Sequence, residues 1–188
     1  MEAIRKFEDL LFDLSNDFTI YTQLFTEDDS VEVLNDFNPL IFGNYQKVLI
    51  TSIFSKIARL LDPARIGKDK NLSLAYFIEK YHLQDDSEIK EEFEYIKEFY
   101  KNSNLKKYRN KVLSHNDASL AYRGESISIK IEAPDVEALI SYIGNLFYLI
   151  KYKSGVSNVN AAIDPLVTLP FDKNGAAFIH KLKHAYNK

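Results

Sequence analysis

Seven apolar residues, Ile4, Phe7, Leu11, Leu14, Phe18, Tyr21 and Phe25, recur near the start of the chain at alternating steps of three and four. Only a helix places all seven on one side; a strand would divide them between two faces. The spacing therefore predicts a long amphipathic helix over 3–26, whose stripe must be covered by other elements. The same rhythm returns downstream. Asn38-Pro39 is a helix start, with proline at the first helical position. Ile41, Tyr45, Val48, Leu49, Ser52, Ile53, Ile57, Leu60 and Leu61 then mark one face until Asp62-Pro63 stops it. A third helix is expected from Asn71-Leu72-Ser73-Leu74 to about Tyr81. A fourth, capped by Ser87, carries Ile89, Phe93, Ile96 and Tyr100. After a break at Asn102-Ser103-Asn104, a helix containing Leu105, Tyr108 and Val112 follows. Pro134 opens another, with Val136, Leu139, Ile140, Ile143, Phe147 and Ile150, and a last one runs from about Asn174 to Tyr186.

The rest reads as connections. Residues 26–30 carry cap and turn residues, followed by a short helical turn over 31–37. Residues 65–70 form a polar loop containing Gly67, and 151–173 are irregular, with Gly155, Pro165 and Pro170. In 120–132, Ile127, Ile129 and Ile131 alternate with polar neighbours, a strand-like pattern beside the turn residues Arg123-Gly124-Glu125. The expected architecture is an all-α bundle, one domain over 1–188, with a small strand-like excursion. A chain of 188 residues is long enough for one such core and short for two.

Composition narrows the chemistry. The chain has no cysteine, so it forms no disulfide, no thiolate metal site and no cysteine nucleophile. That suits a reducing cytoplasm. The first residues hold no signal-peptide core, and no stretch reaches the roughly 18 apolar residues of a membrane span, so a cytoplasmic protein without membrane association is expected. A net charge of −3 argues against a protein that coats nucleic acid generally. Yet Lys97, Lys101, Lys106, Lys107, Arg109 and Lys111 stand against Glu98 alone between 97 and 111, directly after an acidic stretch that runs from Asp85 to Glu94.

That basic segment leads into Arg109-Asn110-Lys111-Val112-Leu113-Ser114-His115-Asn116-Asp117. Arginine is permanently charged and forks onto phosphate oxygens, and histidine exchanges a proton near neutral pH. Together they suffice to cleave a phosphodiester. On an ideal helix, residues six apart point about 120° apart. Arg109 and His115 converge only if the helix ends near Leu113-Ser114 or if His115 meets the arginine of a second chain.

The run Tyr108 to Asp117 resembles the R-x(4–6)-H signature of the HEPN superfamily (higher eukaryotes and prokaryotes nucleotide-binding), with Asn110 as the polar residue after the arginine. Ala58-Arg59-Leu60-Leu61-Asp62-Pro63, followed by Asn71-Leu72-Ser73-Leu74, resembles its abortive-infection U-type branch. The resemblance implies a HEPN-like bundle, a homodimer with the motifs facing across the interface, and a metal-independent endoribonuclease acting through the ribose 2′-hydroxyl. It assigns phosphate binding to Arg109, orientation to Asn110 and general acid–base work to His115. It also implies the toxin of a toxin–antitoxin or abortive-infection system in phage defence, with RNA as substrate and an antitoxin protein, often a nucleotidyltransferase, as partner. Two other readings stay open: a catalytically inactive HEPN module binding RNA, a nucleotide or a protein, and a purely structural helical dimer.

Other residues have plainer explanations beside the functional ones. Arg59 and Asp62 either steady the site from behind or form a local helix-end pair. Lys106, Lys107 and Lys111 either hold the RNA backbone or belong to a solvated face. Tyr108 either stacks on a base or packs inward, four residues before Val112. Asp117 either polarises His115 or caps a turn. His180 and His184 have metal-binding spacing but no Glu beside His180 and no evident third ligand, so a solvated helix face is expected. Neither a cofactor nor a metal is expected.

Overall fold

The computed structural model describes residues 1–108, 131–159, 164 and 166–186, and they form a helical bundle. Helix α1 (Glu2–Phe25) buries Ile4, Phe7, Leu11, Leu14 and Phe18. Opposite it lie α3 (Pro39–Leu60), α4 (Leu74–Lys80), α5 (Ser87–Asn102) and α7 (Ala133–Lys153), with α6 (Leu105–Tyr108) between α5 and α7 in sequence. At the centre, the Phe7 ring lies 5.3 Å from Phe77 and 4.3 Å from Phe147, and those two are 5.2 Å apart, so one aromatic triad joins α1, α4 and α7. Polar contacts seal the margins of α1. Glu8 accepts from Lys151 on α7 at 2.5 Å. Asp17 accepts from the Lys56 ammonium at 2.7 Å and the Ser52 hydroxyl at 2.6 Å, both on α3.

The caps are local chemistry. Asn38 accepts from the Ile41 amide at 3.0 Å to start α3, and Ser73 accepts from Tyr76 at 3.3 Å to start α4. Helix α5 departs from expectation: its cap is Asp86, accepting from the Ile89 amide at 3.1 Å, and Ser87 is already helical. Helix α2 (Asp28–Phe37) is a full ten-residue helix rather than a short turn. Asp28 and Asp29 lie in its first turn, where the helix dipole favours negative charge.

Residues 65–70 are not merely a polar loop. Strands β1 (Arg65–Ile66) and β2 (Asp69–Lys70) pair antiparallel, Arg65 with Lys70 and Ile66 with Asp69, around Gly67 at φ +62. Two-residue strands are too short to show alternation. The strand-like segment of 120–132 lies outside the described residues except for Ile131 and Glu132, which have no regular structure.

The apolar face expected of α3 is only half used. Ile53, Ile57 and Leu60 are buried, whereas Ile41 and Val48 are 60% and 62% exposed, and Leu40 is 74% exposed. After α7 the chain returns to the far end of α1. The Val167 amide donates to buried Thr19 at 3.0 Å, and the Gly175 amide donates to Gln23 at 2.8 Å. Helix α8 (Gly175–Tyr186) then packs Ile179 and Leu182 on Leu24 of α1 and Leu34 of α2, a second core separate from the first. Among the described residues, no helix is long and apolar enough to cross a membrane.

Candidate functional site

Arg109, Asn110, Lys111, His115 and Asp117 lie outside the described residues; the chain is described up to the residue before them. Helix α5 ends with the Ser103 amide donating to Phe99 at 2.9 Å and the Ser103 hydroxyl donating to Tyr100 at 3.2 Å. Asn104 then takes the left-handed conformation, φ +64, which turns the chain; asparagine tolerates this better than most residues. The Tyr108 amide donates to the Asn104 carbonyl at 2.9 Å, and buried Leu105 anchors α6 in the core. Lys106 and Lys107 are exposed.

Tyr108 is half-buried. Its ring meets Phe54 of α3 edge to face, with centroids 5.0 Å apart. Burial pushes its hydroxyl pKa up from the ordinary tyrosine value. Nothing in the sequence flags Phe54 as its partner, since the two residues belong to different helices.

A polar groove of about 700 Å³ separates the end of α3 from α5 and α6. Asp62 and Pro63 line one side, and Lys97, Lys101, Glu94, Glu98 and Lys106 line the other. The 58–63 segment and the approach to Arg109 are thus brought together across one groove. Arg59 is exposed in the last turn of α3, where a cation suits the helix dipole, and Asp62 is half-buried. The groove is less basic than the run 97–111 suggests. Lys97 is paired with Glu94 at 2.6 Å, and its ammonium lies 4.9 Å from the Phe93 ring centroid. Glu94 falls just outside that run, but its spacing of three from Lys97 on a helix is the signal that identifies the pair.

His180 and His184 are exposed on α8, with ring centroids 4.5 Å apart and perpendicular. Among the described residues, no group of three or more metal-ligating side chains is assembled. His82 lies in the turn after α4, at φ +57.

No curated protein and no solved structure matches the chain. One family model does, over residues 2–153, and it is described as AbiU2, of HEPN type.

Proposed function

The chain belongs to the AbiU2 family of HEPN proteins, and from that premise we propose that it is a cytoplasmic, metal-independent endoribonuclease, the toxin of a toxin–antitoxin or abortive-infection system acting in phage defence. It works as one domain over 1–188. One observation carries the reading: the family region, 2–153, includes Arg109, Asn110 and His115 on the segment that follows α6. In the proposed reaction the ribose 2′-oxygen bonds to the adjacent phosphorus and the bond from phosphorus to the 5′-oxygen breaks. A 2′,3′-cyclic phosphate and a 5′-hydroxyl result. Arg109 binds the phosphate and offsets the charge that grows on it, Asn110 orients it, and His115 moves a proton from the 2′-oxygen or to the leaving oxygen. In a homodimer with facing motifs, His115 and His115 of the partner subunit divide the base and acid roles. Lys106, Lys107 and Lys111 hold flanking phosphates, and Arg59, Asp62 and Asp117 steady the site.

The second reading, a HEPN module that binds RNA, a nucleotide or a protein without cleaving, is favoured by the groove, which sets the carboxylates Asp62, Glu94 and Glu98 among its lysines. Induction in a bacterial host separates the two. Wild type is expected to arrest growth and generate new 5′-hydroxyl RNA ends. His115→Ala and Arg109→Ala, expressed and folded to the same level, are expected to cut at least about 100-fold more slowly. Intact RNA and normal growth with well-expressed wild type would favour the non-cleaving module.

A further inference from the structure

Helix α8 turns Ile179 and Leu182 inward and leaves His180 and His184 exposed. Residues four apart on a helix point within about 40° of each other, one turn apart along its axis. The two imidazoles therefore share one strip of surface, and their ring centres are 4.5 Å apart. Two imidazoles bound to one metal, each through a nitrogen about 2.0–2.1 Å away and at roughly 90–110° to one another, have ring centres on the order of 4.5–5 Å apart. The observed spacing is thus close to that of a chelating pair. The rings meet edge to face, 70° between their planes. Aiming a nitrogen of each at one point takes rotation about the terminal side-chain torsion, which is broad in histidine. The neighbouring cations are engaged elsewhere. The Lys181 ammonium donates to the Asp172 carbonyl at 2.9 Å, and that of Lys183 lies 3.8 Å from the Asp29 carboxylate.

We propose that His180 and His184 together bind one first-row divalent cation of the zinc, nickel and copper class. Neutral imidazoles suit these ions, whereas magnesium and calcium take oxygen ligands. Both side chains face solvent, so the other coordination positions are open to water and the ion is exchangeable, unlike one enclosed by four protein ligands. The site stands on α8, beyond the family region 2–153, and takes no part in the proposed RNA cleavage. Its effect is on the helix. Helix α8 has 12 residues, a length that is marginal for a helix alone, and it supplies Ile179 and Leu182 to the second core. A metal that joins two of its turns binds the folded helix more tightly than the unfolded chain, and so holds α8 against Leu24 and Leu34.

The test uses the untagged full-length protein, freed of metal with a chelator, and zinc chloride followed by calorimetry, thermal melting and amide hydrogen exchange. Zinc is expected to bind once per chain and to raise the melting temperature until the site is filled. It is also expected to slow exchange across α8 while leaving α4 unchanged. His180→Ala and His184→Ala, both at exposed positions, are each expected to weaken binding about tenfold or more and to abolish the slowed exchange. His82→Ala is expected to change neither. Copper(II) in place of zinc is expected to show two coupled nitrogens in its electron paramagnetic resonance spectrum, and magnesium to have no effect. If both alanine variants bind zinc within about twofold of wild type, the ion sits elsewhere and the assignment falls. If wild type shows no change in melting or in α8 exchange at about 1 mM zinc, the pair does not chelate and the assignment falls equally. Neither result touches the ribonuclease reading, which rests on Arg109 and His115.

Discussion

His82 holds its backbone at φ +57 directly after α4. Its amide donates to the Glu79 carbonyl at 3.2 Å and the Leu83 amide reaches back to Ile78 at 3.0 Å, a paired C-terminal closure in which glycine is the usual occupant. Gly155, at φ +70, fills the equivalent place after α7. An L side chain in the left-handed region costs roughly 1–2 kcal/mol, part of which glycine gives back through the unfolded chain. His82→Gly is therefore expected to raise stability by up to about 1 kcal/mol, read as a higher denaturation midpoint with unchanged slope. Gly175 shows the opposite constraint. A Cβ there would stand 2.7 Å from the Gln23 Cβ, close to α1's backbone, so one helix has to shift. Gly175→Ala is expected to destabilise by about 1–3 kcal/mol; an unchanged melting temperature would show that α8 gives way freely. At this scale the sequence exposes residue chemistry but not partners. Tyr108 stands out beside Arg109, while Phe54, which fixes its ring, belongs to an unremarkable apolar face.

Helix α5 illustrates how one element is fastened by charge. Lys153, at the end of α7, pairs with Asp86 at 3.0 Å and Glu88 at 2.6 Å, tying the last turn of one helix to the first turn of the other. The Ile89 amide and then Lys153 hold the Asp86 carboxyl below its ordinary value of 3.8. A depressed carboxylate stabilises the fold above that ordinary value, and the contribution is lost as pH falls through the lower native one. Asp86→Asn keeps a competent cap but removes the charge. It is expected to leave the acid side of the stability profile flatter below about pH 4, with little change in helix content. An unchanged acid limb would show that the Asp86 charge, on the cap amide and on Lys153 alike, adds nothing to stability. Element positions were largely legible because apolar period and cap residues agree, as at Asn38-Pro39 and Ser73. The sequence points to Ser87 as the cap, yet Asp86 beside it is equally suited, and only the backbone decides between neighbours. Periodicity also says which residues share a side, not which side is covered, so Ile41 and Val48 of α3 face outward.

For the molecule as a whole, the family region ends at residue 153, and α8 adds a second core around Leu24 and Leu34. A chain ending at Lys153 is expected to remain helical around the Phe7–Phe77–Phe147 triad but to melt earlier and bind a hydrophobic dye. Losing Ile179 and Leu182 removes about 1.5–3 kcal/mol of burial each and uncovers their partners. An unaltered melting temperature would mean that α8 contributes nothing to stability. Phe7→Ala strikes the main core and is expected to cost about 3–5 kcal/mol. The bundle was readable from sequence, but the return of α8 to α1 was not: Thr19 and Gln23 carry no local sign of meeting Val167 and Gly175. That return also bears on timing during synthesis. The flank of α1 that meets α7 and α8 stays uncovered until residues far along the chain are made, a delay on the order of ten seconds at ribosomal speed. The assembled bundle, and any activity that depends on it, is withheld from the nascent chain while α7 is still inside the ribosome.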